Sequence, residues 1–156
     1  MDFDELYQHY WQKVFRLCMG YVNDYDSAQD LAQETFISAW KHFGSFRNEA
    51  QVGTWIYRIA TNHCLRSLER RQRVKTAALP LNLYEEKQPD AEPRIRLLYR
   101  FISELPEIDR IVISLELENV KQAEIAQITG LSESNIRVKI HRIKERLTQK
   151  FNEHGT

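Results

Sequence analysis

Residues 122–147 read QAEIAQITGLSESNIRVKIHRIKERL, and their spacing decides the fold of the second half of the chain. Ala126 is small where two helices must cross closely. Gly130, four residues on, can take the positive φ of a tight turn. Ile136, six residues further, is placed to plug a second helix against the first. Ser132 is a good N-cap, and Leu131 and Ile136 occupy the positions of a hydrophobic staple. Ile136, Ile140, Ile143 and Leu147 then recur at helical spacing as a buried stripe. The pattern predicts a short helix over 122–129, a turn, and a long helix from Ser132 to about Phe151. Such a helix-turn-helix projects one face of its second helix. At 100° per residue that face carries Ser134, Asn135, Val138, His141 and Arg142, flanked by Arg137 and Lys139. Polar tips and cations on a protruding helix suit the major groove of DNA.

Upstream of this motif the pattern stays helical. Pro106 suits the first turn of a helix running to about Leu117, and another helix spans about 94–103. Residues 76–93, TAALPLNLYEEKQPDAEP, hold three of the four prolines and no sustained period, as a linker does. Before the linker, Leu6, Tyr10, Val14, Leu17 and Tyr21 mark a first helix over about 3–21. Asp24 or Asp26 can cap a second, whose apolar stripe is Ala28, Leu31, Ala32, Phe36, Ala39, Trp40 and Phe43. Gly44 is a natural C′ residue for it. A third helix runs from about Thr54 through LRSLERRQRVK, residues 65–75. The expectation is an all-α protein of two small helical domains: 1–75, a linker over 76–93, and 94–156 containing the helix-turn-helix.

The charge is balanced overall, with 22 Lys and Arg against 22 Asp and Glu, yet it is unevenly placed. Residues 1–46 hold three bases and seven acids; residues 47–75 hold seven bases and two acids. The linker is acidic, with four acids against Lys87, and residues 119–156 are basic again, with seven bases against four acids. Two separate basic faces suggest two contacts with a polyanion. In the third helix Arg58, Asn62, Arg66, Glu69 and Arg73 share one face, opposite Ile56, Ala60, Cys64 and Leu68. The preceding loop offers Phe46, Arg47, Asn48 and Gln51. Aromatic and amide groups beside a cationic rail suit unstacked single-stranded bases. Trp55 and Tyr57 are expected in the core.

Other classes are disfavoured. No apolar run is long enough to span a bilayer, so no membrane insertion is expected. The acidic N-terminus does not resemble a secretory signal. Cys18 and Cys64 sit inside helical patterns and read as buried free thiols in a cytoplasmic protein. The five histidines and two cysteines show no metal-ligand spacing. His63 and Cys64 are neighbours on a helix and point about 100° apart, which rules out a nucleophile–base pair between them. With no glycine-rich phosphate loop either, neither enzymatic activity, metal nor cofactor is expected.

Residues 26–73, DSAQDLAQETFISAWKHFGSFRNEAQVGTWIYRIATNHCLRSLERRQR, and residues 105–147, LPEIDRIVISLELENVKQAEIAQITGLSESNIRVKIHRIKERL, together resemble a bacterial sigma factor of the extracytoplasmic-function group. The resemblance implies an RNA polymerase sigma factor that directs promoter-specific initiation. Its first domain would bind core polymerase and the minus-ten element, and its second would read the minus-thirty-five element. The DLAQETF helix would dock on the polymerase clamp through Asp26, Asp30, Gln33, Glu34, Ile37 and Lys41, which lie outside the apolar stripe. Minus-ten contacts would fall on Phe46, Arg47, Asn48, Arg58, Asn62 and Arg66. Minus-thirty-five contacts would fall on Ser134, Asn135, Arg137, Val138, Lys139, His141 and Arg142. An anti-sigma factor is a further expected partner, and the acidic linker would suit polymerase channels. Two positions depart from the family's habit. Lys121 replaces the usual Ser or Thr cap, so a frayed start to the short helix is expected. Val138 stands where small polar residues are common. The alternative is a two-domain helix-turn-helix regulator that does not engage polymerase and has no need of DLAQETF.

Overall fold

The computed structural model describes residues 1–46, 51–77 and 92–155, with the side chains of 68–77 left aside. Helix α1 spans Phe3–Val22 and α2 spans Tyr25–His42, followed by a single 3₁₀ turn at Phe43–Ser45. Helix α3 spans Val52–Ala77. Helices α4 (Pro93–Ser103), α5 (Glu107–Leu117), α6 (Gln122–Thr129) and α7 (Glu133–Glu153) complete the order. No strand occurs among the described residues. Helix α3 reaches Ala77 and α4 starts at Pro93, so both helices enter the stretch expected as linker. Residues 78–91, with the acidic run, lie outside the described residues.

The helix ends follow from local chemistry. Asp2 caps α1 in a reciprocal box with Glu5, the Glu5 N–H donating to Asp2 at 2.8 Å. Asp24, one of the two expected candidates, caps α2 by accepting from the Ser27 N–H at 3.1 Å. Gly44 does not act as a left-handed stop: it lies within the 3₁₀ turn, and the positive-φ glycines are Gly130 and Gly155. Gly130, at φ +81°, ends α6 by donating its N–H to the Ala126 carbonyl at 2.8 Å. Helix α6 begins at Gln122 with no side-chain cap from Lys121, whose carbonyl accepts from the Glu124 and Ile125 N–H groups at 2.9 Å.

Helices α1, α2 and α3 pack together, and α4, α5, α6 and α7 form the second group. The two groups share one core, since α1 also packs on α5 and α4, and α3 packs on α6. Ile56, Ala60 and Cys64 are buried on α3 as their spacing requires, and Tyr57 joins them while Trp55 is half-buried. The Cys64 thiol donates toward Cys18 at 3.9 Å in the α1–α3 seam. That contact, with burial, holds the Cys18 thiol well above its usual range, so it stays neutral and inert.

Tyr57 carries a pH dependence. Burial, and then the Glu118 carboxylate, push its phenol above its ordinary value of 10.0. Below that value the phenol is protonated in both states and its stabilising effect is complete. As pH rises toward the raised folded value the unfolded chain releases the proton while the fold keeps it, so stability falls. Tyr57→Phe should therefore lose less stability than wild type above about pH 10 in denaturant titrations. Identical slopes for the two proteins would contradict this.

Candidate nucleic-acid interface

The N-cap and buried stripe of α7 decide which of its faces points outward. The Ser132 hydroxyl accepts from the Asn135 N–H at 3.1 Å, which fixes the first turn. Ile136, Ile140, Ile143 and Leu147 are buried against α5 and α6, so the rest of the helix must face out. Ser134, Asn135, Arg137, Val138, His141 and Arg142 are all exposed. His141 Nε2 lies 3.1 Å from a carboxylate oxygen of Glu145, one turn on. Lys139 is different. It is half-buried, and its Nζ donates to Asp109 of α5 at 2.9 Å. The structure thus separates Lys139 from the exposed cations with which the sequence grouped it. Thirty residues separate this lysine from its acid, and helical periodicity cannot see such a pair.

Helix α3 displays Arg58, Asn62 and Arg66 at intervals of four residues on its exposed side. Arg66 Nε reaches the Asn62 carbonyl at 3.4 Å, which lays the guanidinium along the helix. Arg58 Nη2 donates to the Gln127 carbonyl of α6 at 3.4 Å. Glu69 and Arg73, which continue this face in sequence, belong to the side chains left aside. Phe46 precedes the helix and packs on Trp55, with ring centroids 4.9 Å apart. Arg47 and Asn48 lie outside the described residues. Phe46 is therefore held by a neighbouring ring at the mouth of its loop.

Helix α2 carries the third set. Asp26, Asp30, Gln33, Ile37 and Lys41 are exposed. Glu34 is half-buried, and its carboxylate lies 3.7 Å from His63 Nδ1 of α3; Ser38 meets the other ring nitrogen at 2.8 Å. The structure adds a residue that the apolar stripe had assigned to the core. Trp40 is 63 % exposed, beside Ile37 at 55 %. The cause is its place at the end of α2 beside the start of α1. There Phe3 meets the indole edge-on at 5.0 Å and covers one side of it. The surface of α2 is thus acidic along its length with two large apolar groups near its end. The signal lay in the sequence, since Trp40 sits at the margin of the stripe.

Comparison with known proteins agrees with this organisation. The family description Sigma-70 region 2 matches residues 6–74, and Sigma-70, region 4 matches residues 95–147. The RNA polymerase sigma-H factor of Pseudomonas aeruginosa is 31 % identical over 92 % of this chain and 82 % of its own length. The chain belongs to the sigma-70 family, in its extracytoplasmic-function group. The sigma factor SigM of Bacillus subtilis, of that group, is 28 % identical over 97 % of this chain and 96 % of its own length. The fold matches that of the sigma factor RpoE of Bartonella quintana, solved with the anti-sigma factor NepR. The TM-score is 0.83 at 18 % identity, over 97 % of both chains. This sigma factor binds core RNA polymerase and directs promoter-specific initiation. The region 2 match sets aside a regulator that never engages polymerase. Sigma factors are generally non-enzymatic initiation factors. Among the described residues no helix is long and apolar enough to cross a membrane, and no group of three His, Cys, Asp or Glu could hold a metal ion.

The Lys139–Asp109 pair is a structural tie, and a double-mutant cycle with Lys139→Met and Asp109→Asn isolates it. The coupling in urea unfolding should be about 1 kcal/mol, the upper end for partly exposed pairs. Strict additivity would show that the pair contributes nothing to the fold.

Proposed function

We propose that three faces of this sigma factor divide the work. The exposed side of α2 docks on core polymerase through Asp26, Asp30, Gln33, Glu34, Ile37 and Lys41, joined by Trp40. The Arg58, Asn62 and Arg66 side of α3, with Phe46, Arg47 and Asn48 of the preceding loop, receives the minus-ten element. The Ser134, Asn135, Arg137, Val138, His141 and Arg142 side of α7 enters the major groove at the minus-thirty-five element. Lys139 contributes there chiefly by fixing α7 on α5. The observation that carries this division is the segregation of charge by helix: α2 exposes acids and two apolar groups, whereas α3 and α7 expose cations opposite their buried stripes. Acids repel phosphate and suit a protein partner; cation rows suit DNA.

Strand separation on this reading requires no catalytic group. Binding of extruded bases offsets an unstacking cost of a few kcal/mol per base. The chain acts in the cytoplasm with polymerase. An anti-sigma factor is a further proposed partner, since the structurally similar RpoE was solved with one.

Two experiments test the division. Asp30→Lys with Glu34→Lys should weaken competition for core polymerase while helicity is retained. Undiminished competition would remove this face from the polymerase contact. Asn62→Ala should leave binding to upstream duplex nearly intact and reduce promoter opening, with partial recovery on a template melted in advance at the minus-ten element. A neutral amide adds no long-range steering, so its effect must come from contact. Equal permanganate reactivity of wild type and variant on duplex promoter would take Asn62 out of the site.

A further inference from the structure

Three side chains tie α2, the helix proposed for polymerase, to α3, the helix proposed for the minus-ten element. Glu34 and Ser38 stand one turn apart on α2, along the edge that adjoins α3. The ring of His63, on α3, lies beside both, and its side chain is only 14 % exposed. Ser38 Oγ stands 2.8 Å from Nε2, and a Glu34 carboxylate oxygen stands 3.7 Å from Nδ1. Electrostatics select the tautomer. A neutral ring with its proton on Nε2 would turn the Nδ1 lone pair toward a carboxylate. With the proton on Nδ1, the Ser38 hydroxyl donates to Nε2 and the ring N–H faces Glu34. At 3.7 Å this second contact is electrostatic rather than a short hydrogen bond. The Glu34 side chain is still 43 % exposed, so a partner can reach it.

We propose that His63 is a positioning residue for polymerase binding: anchored by Ser38, its ring orients the Glu34 carboxylate on the docking face of α2. The proposal rests on the assignment of that face given above. A glutamate at a helix surface samples many rotamers, and fixing it when a partner arrives costs entropy. A carboxylate restrained beforehand spares the complex that cost. His63 is well placed to supply the restraint. It belongs to a helix of 26 residues, so its own backbone is fixed. Asn62, its neighbour in sequence, is exposed, and the turn of about 100° between them carries the ring toward α2 instead. The ring is mostly covered and acts through Glu34. A ring that only filled the seam between α2 and α3 would affect stability alone. Its removal would then act on polymerase binding equally with or without Glu34.

The test is a double-mutant cycle on the full-length chain, read as affinity for core polymerase by titration, with urea unfolding measured alongside. His63→Leu should weaken core binding about three- to tenfold, the range set by ordering one long side chain. It should cause no further loss in a Glu34→Ala background. Asparagine places an amide N–H close to where Nδ1 stands, so His63→Asn should keep near wild-type affinity. Ser38→Ala should give a smaller loss that also vanishes in the Glu34→Ala background. Equal losses from His63→Leu with and without Glu34 would overturn the proposal, and so would an asparagine variant as weak as the leucine one. Should His63→Leu prove unfolded in the urea titration, Ser38→Ala and His63→Asn decide the matter: a Ser38→Ala loss that persists without Glu34, or a weakened asparagine variant, would overturn it. Unchanged affinity of Glu34→Ala itself would remove Glu34 from the docking face and the proposal with it. A loss from Glu34→Ala joined by additive losses from His63→Leu would leave the docking face standing and overturn the positioning role alone.

Discussion

The last turn of α1 is enclosed on every side. Leu17, Cys18, Met19, Gly20 and Tyr21 are consecutive and all buried. Successive side chains turn by about 100°, so five in a row leave no solvent face. Cys18 meets Cys64 of α3 on one side; Gly20 meets Ser114 and Tyr21 meets Arg110 of α5 on the other. The helix is therefore a common element of both domains. Each domain alone is near the size at which a hydrophobic core becomes marginal. Sharing α1 enlarges the core of both at once.

From that arrangement the exposed surfaces proposed for partners follow by exclusion. Helix α1 takes up one flank of α2 and α3, so the opposite flanks of those helices remain for partners. On α2 the free flank is acidic with Ile37 and Trp40 exposed; on α3 it carries Arg58, Asn62 and Arg66. In region 4 the stripe from Ile136 to Leu147 is consumed by α5 and α6, which turns Asn135, Arg137 and Arg142 outward. The net charge of zero thus conceals one acidic and two basic surfaces. An initiation factor needs this, since it must hold an enzyme and its DNA template together.

Much of this was legible in the sequence where one helix could be read by itself. The span of α6, the Ser132 cap, the Gly130 turn and the buried stripe of α7 depend on neighbours within a few residues, and local chemistry decides them. The exposed positions on α2 and α3 were legible for the same reason. What escaped depends on contacts between distant helices. Trp40 sits at the margin of the apolar stripe, where periodicity marks the position as borderline and only packing against Phe3 of α1 shows how much of the ring is covered. Lys139 looks like a groove cation until Asp109 is brought beside it. Gly20 looks like an unremarkable small residue in a helix; its role exists only because α5 crosses there. Gly44 shows the converse, since a glycine well placed for a left-handed stop is not obliged to adopt one when a 3₁₀ turn continues the chain.

The central claim is that α3 and α7 touch different promoter elements in one complex. Site-specific photo-crosslinking in the holoenzyme tests it most directly, with a photoreactive residue placed at position 62 in one protein and at position 142 in another. The account places the position-62 adduct on the non-template strand within the minus-ten element and the position-142 adduct in the minus-thirty-five element. Adducts from both positions in the same element, or none from position 62 in an open complex, would contradict it.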